Sequence, residues 1–142
     1  MNDPTSSRPP AWYMFAAIPA LLFMALGCAV YLMHVLADPA TMPLDQRAAL
    51  EAEPAWVTAA YAIAVWAGLT GTLLLVMRRK LAEPILLVSL IAVLAWTAAL
   101  LLVARLRETV SANDVAVAIA FAAITWTIFW FGRRSRQQGW LE

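Results

Sequence analysis

A chain of 142 residues that is 63% hydrophobic and 13% charged, with mean hydropathy +0.74, carries more apolar surface than one water-facing core of this size can bury. A net charge of +1 provides no basic field for nucleic acid, and a single cysteine excludes an internal disulfide and any multi-cysteine metal site.

A membrane-spanning helix needs about 20 mostly apolar residues. The first such segment follows the breaker "RPP" and runs roughly over 11–36. Pro19 removes a backbone donor inside it and is expected to bend the helix. The apolar stretch is longer than a secretory h-region and is preceded by a single arginine, Arg8, so a retained helix is expected rather than a cleaved leader. The stretch "ALGC" has the outline of a lipidation box, but Ala25 and Leu26 stand in the wrong order before Cys28.

Cys28 and His34 both lie in this segment. Six residues at 100° each leave them about 120° apart, so they do not readily chelate one metal from one helix. Cys28 reads as a small packing residue beside Gly27. His34 reads as a polar residue at the outer interface, with a pH-sensing residue or a haem ligand completed by a second subunit as the functional alternatives.

The loop over 37–54 carries Asp38, Asp45, Glu51 and Glu53 against Arg47. Within it, "LDQRAALEAE" has helical propensity, with Pro43 to start a short helix and Pro54 to end it.

The second segment covers roughly 55–77. Ala60, Ala64, Gly68 and Thr72 recur every four residues, and Gly71 widens the patch. A stripe of small residues lets another backbone approach closely, either inside the bundle or at an oligomer face. The third segment covers roughly 81–104, with Pro84 in its first turn, Glu83 near its start, and Arg105 and Arg107 just beyond its end, placed to snorkel or to pair with Glu108. The fourth covers roughly 113–132, with Ser111 or Asn113 as its cap. The remainder, 133–142, reads as a basic surface tail with Trp140 and Leu141 dipping toward the headgroups.

Charges are dense between these segments and absent from their interiors. The fold expected is all-α, an integral membrane four-helix bundle over 11–132 between a short tail, 1–10, and the basic tail. Arg8, Arg78, Arg79, Lys80, Arg133, Arg134 and Arg136 fall on one side, and Arg47, Arg105 and Arg107 on the other. The excess places both termini in the cytoplasm.

No acidic residue sits mid-helix as an ion-coupled carrier would need, and no nucleophile–base pair, phosphate loop or metal set is present. No catalytic residue and no cofactor are expected. Mid-helix hydroxyls usually bond back to their own backbone. Tyr61, Thr70, Thr97 and Thr125 are the candidates for a polar pocket for a sugar-sized solute.

Three stretches, "LGCAVYLM", "RAALEAEPAWVTAAYAIAVWAGLTGTLLLVMRRKLAEPILLVSL" and "FGRRSRQQGWL", resemble a group of small four-helix bacterial inner-membrane proteins. The likeness extends over most of the chain from Trp12 onward. Members are mostly uncharacterised, and some carry the label "sugar transporter". Relatives often have an asparagine shortly before the Gly-Cys pair, where this chain has Met24. The resemblance implies a multi-pass protein of the bacterial inner membrane. Two roles follow for testing. One is a non-catalytic structural, assembly or regulatory partner, in contact with lipid and with either a second copy or another membrane protein. The other is a transporter or permease subunit for a small neutral solute such as a sugar.

Overall fold

The computed structural model describes residues 8–103, 108 and 111–141. Arg105 and Arg107 lie outside the described residues, so their snorkelling or pairing does too. Among the described residues five α-helices follow in chain order: α1 (Trp12–Leu36), α2 (Leu44–Ala52), α3 (Ala55–Val76), α4 (Ala82–Leu102) and α5 (Ala112–Gln137), with a 3-10 turn at Pro39–Thr41. No strand occurs among the described residues.

Helices α1, α3, α4 and α5, of 25, 22, 21 and 26 residues, are long and apolar enough to cross a membrane. At 1.5 Å per residue each extends about 31 to 39 Å, against about 30 Å for a hydrocarbon core. Helix α1 runs unbroken through Pro19, and Pro84 sits in the first turn of α4. Pro43 and Pro54 stand immediately before α2 and α3. Ser111 caps α5: its side chain accepts from the Asp114 backbone N–H, and the Asp114 carboxylate accepts in return from the Ser111 backbone.

Helix α3 packs on α1 and α4, and α4 packs on α5. The gap between α1 and α5 is bridged by rings: Phe23 meets Phe121 at 5.5 Å between centroids, and Tyr13 meets Phe131 at 5.4 Å.

The interior mixes large side chains, among them Tyr13, Met24, Leu75 and Leu86, with many small ones. Ala17, Ala20, Ala64, Ala82, Ala92, Ala99 and Ala118 are buried, together with Gly68, Gly71, Gly132, Ser89, Ser135, Thr72 and Thr125. Phe15 is 81% exposed, Met33 71% and Leu102 81%, and Leu22, Leu26, Ile91, Val117 and Trp126 also face outward. Small residues at the helix contacts let the helices approach closely, and the large apolar side chains facing outward suit a surround that is itself apolar.

Helix α5 continues to Gln137 where the sequence suggested a stop at Gly132 and a surface tail. The basic residues there sit in the last turns of the helix, where its dipole favours cations. Gly139 (φ 74°), just beyond the cap Gln138, terminates the helix, with the Trp140 N–H bonded to the Ser135 carbonyl and the Gly139 N–H to that of Arg136. This turn folds the chain back. Leu141 is 2% exposed in a cluster with Tyr13, Ala17, Leu75 and Ala82, so it is buried in protein rather than dipping toward headgroups.

Candidate functional site

One set of polar and aromatic side chains gathers where the α2–α3 junction meets the C-terminal end of α1. Glu53 caps the C-terminal end of α2, and Pro54 turns the chain into α3. Its carboxylate is held from two helices. Oε2 lies 3.2 Å from Nε2 of His34 on α1, and Oε1 accepts from Thr58 Oγ1 on α3 at 3.1 Å. The Glu53 side chain is 12% exposed and that of His34 36%. A carboxylate this shielded is stable only with partners, and this one has two.

Aromatic rings continue inward from that pair. His34 meets Tyr61 edge-on at 6.5 Å, and Tyr31 meets Tyr61 at 5.6 Å and Trp66 at 6.4 Å. Tyr61 stacks on Trp96 at 4.7 Å with planes 27° apart, and Trp96 meets Phe121 at 6.4 Å. Each such pair contributes about 0.5–1.5 kcal/mol beyond its area. The arrangement is a latch: a charged loop residue gripped by α1 and α3 above an aromatic layer that joins α1, α3, α4 and α5. Neither the pairing of His34 with Glu53 nor the aromatic layer was read from the sequence. The available signal was the loop over 37–54, which leaves α1 and enters α3 at one end of the bundle and so returns residue 53 to the end where residue 34 lies.

The loop itself is ordered by local bonds. Asp38 accepts from the Ala40 N–H at 2.9 Å, and Arg47 Nε donates to the Pro39 carbonyl at 2.9 Å. Among the described residues no group of three His, Cys, Asp or Glu comes close enough to hold a metal ion.

The small-residue stripe faces the interior. Ala64, Gly68, Gly71 and Thr72 are buried and Ala60 is half-buried. A Cβ at Gly68 would fall 2.5 Å from Met24 Sδ and 3.0 Å from Ser89 Oγ; one at Gly71 would fall 2.7 Å from the Leu86 side chain. The stripe is therefore consumed in packing α3 against α1 and α4, and is not an external oligomer face.

No hydrogen bond joins the four pocket candidates among the described residues. Tyr61 belongs to the aromatic layer. Thr70 is exposed and donates to the Trp66 carbonyl, Thr97 to that of Val93, and the buried Thr125 to that of Phe121. Each threonine hydroxyl proton is thus spent on its own helix. Cys28 is buried, with Sγ 3.3 Å from the Val65 carbonyl.

A second cluster closes the opposite end. The Tyr13 hydroxyl donates to the Leu75 carbonyl, and Trp140 meets Trp12 at 5.6 Å and Tyr13 at 6.1 Å. Arg78 Nε donates to the Trp140 carbonyl at 3.0 Å, and Arg136 pairs with Glu83 at 2.7 Å. These contacts bring the start of α1 and the end of the chain to the same end of the bundle.

Comparison with protein-family models, with curated proteins and with solved structures gave no match.

Proposed function

We propose that this chain is a multi-pass integral protein of a bacterial inner membrane, with both termini in the cytoplasm and the loop over 37–54 outside. Its role is non-catalytic: a structural or assembly partner of another membrane component. The observation that carries the membrane reading is the outer surface, where four helices long and apolar enough to cross a membrane expose large apolar side chains such as Phe15, Leu22, Leu26, Met33, Ile91 and Leu102. The orientation rests on the excess of Lys and Arg at the end where the termini meet.

The partner role draws on how the polar groups are used. The interior hydroxyls are committed to backbone carbonyls, and Glu53, His34 and Thr58 are committed to one another. With the α3 stripe consumed, partner contact falls to the outer loop, where α2 presents Leu44 (81% exposed) beside Asp45 and Glu51. Photo-cross-linking groups placed at Leu44 and at Glu51 in living cells test this role. One discrete adduct from each position, that from Glu51 lost on Leu44→Asp, is the expected result. Absence of an adduct, together with saturable thermal stabilisation of the purified protein by one class of sugar, would replace the partner role with transport.

A further inference from the structure

The C-terminal turns of α5 carry a cleft of about 420 Å³ lined by Trp130, Arg133, Arg134, Gln137 and Gln138. The first four recur at helical spacing on one outward face. The Arg134 guanidinium lies over the Trp130 ring, 5.3 Å from its centroid. Neither Arg133 nor Arg134 forms an ion pair among the described residues, whereas Arg136, on the flank of that face, is held by Glu83. The same outward face of α5 continues toward the middle of the bundle through Trp126 (61% exposed) and Ile119 (53% exposed). It passes from an apolar strip to an aromatic ring to two guanidinium groups within one helix.

We propose that this cleft binds the headgroup of an anionic phospholipid, with the acyl chains lying along Trp126 and Ile119. Two adjacent guanidinium groups match the oxygens of a phosphodiester, and the Gln137 amide can donate to a glycerol or further phosphate oxygen. Stacking on Trp130 holds Arg134 at the depth where a tryptophan ring marks the headgroup layer. A soluble phosphate ester would satisfy the arginines and leave the apolar strip unused. The strip therefore assigns the site to a lipid. The proposal rests on the membrane reading given above.

The test uses the full chain reconstituted in phosphatidylcholine vesicles containing a minor fraction of either brominated phosphatidylglycerol or brominated phosphatidylcholine. Bromine on an acyl chain quenches tryptophan on contact. The expected result is stronger quenching by the anionic lipid, corresponding to an enrichment of about five-fold or more at the protein surface, the effect of one basic residue near an anionic bilayer. This excess should vanish in the double variant Arg133→Gln/Arg134→Gln and persist in Arg79→Gln, which removes a charge from the same end of the bundle. Glycerol phosphate at millimolar concentration should leave it unchanged. Equal quenching by the two lipids in the wild-type protein overturns the proposal without involving any variant. So does an excess that survives in the double variant, or one abolished by glycerol phosphate, which would make the site a receptor for soluble phosphate esters. Quenching by neither lipid would overturn the membrane reading itself.

Discussion

The Ser89 hydroxyl on α4 donates to the Ala64 carbonyl on α3, and it does so across the gap left by Gly68. That carbonyl already belongs to the ladder of its own helix, so the serine adds a bond between helices rather than rescuing an orphan group. A side chain at residue 68 would occupy the space through which Ser89 reaches.

Enlarging the stripe should therefore weaken the fold and leave association unchanged. Gly71→Ala places a methyl against Leu86 and is expected to cost about 1–3 kcal/mol. Thermal unfolding in detergent reads the loss. Size-exclusion chromatography with light scattering should give the same particle mass as wild type, because the stripe lies inside the bundle.

Removing the latch should free the loop. Glu53→Ala deletes the bonds to His34 and Thr58. Charge-assisted hydrogen bonds of this kind contribute about 1.5–3 kcal/mol, so cleavage by trypsin after Arg47 should accelerate about ten-fold or more. His34→Ala should give a smaller increase, since Thr58 still holds the carboxylate. An unchanged cleavage rate in both variants would show that the loop is fixed by something else.

The C-terminal fold-back should depend on the left-handed residue that starts it. Gly139→Ala forces a Cβ into a conformation costing about 1–2 kcal/mol. Trp140→Ala removes the ring contacts with Trp12 and Tyr13 at about 1 kcal/mol each. Both should raise carboxypeptidase digestion of the chain end, with Trp140→Ala the more severe.

The mid-helix threonines provide a contrast. Thr70→Val lies on an exposed face and removes only a bond to its own helix, so its effect should stay within about 0.5 kcal/mol. Thr125→Val is buried and near-isosteric, and should cost more. Differential scanning fluorimetry of the two variants side by side separates them.

How much of this was legible in the sequence depended on the range of the signal. The four long helices were visible because charge punctuates them, and the start of α5 was narrowed to two caps, Ser111 or Asn113, of which the structure uses Ser111. The spacing of Ala60, Ala64, Gly68 and Thr72 showed that α3 has a close-approach face. It did not say which helix would meet it, because Met24 and Ser89 come from two other segments. The end of α5 was misread because Arg133, Arg134 and Arg136 stop the apolar run without stopping the helix, and because Gly139 was not recognised as the turn that does. The His34–Glu53 contact joins residues 19 apart across a loop, and nothing local to either residue announces it.

The central claim is that four helices place the loop over 37–54 and the turn after α3 on opposite sides of a membrane. Labelling of single cysteines in intact bacterial cells with a membrane-impermeant maleimide tests it most directly, in a Cys28→Ala background. Gln46→Cys lies on α2 and Lys80→Cys on the α3–α4 turn, and both positions are exposed. The account predicts that Gln46→Cys labels in intact cells, whereas Lys80→Cys labels only after the membrane is permeabilised. The reverse pattern would invert the orientation, and equal labelling of both in intact cells would contradict the crossing itself.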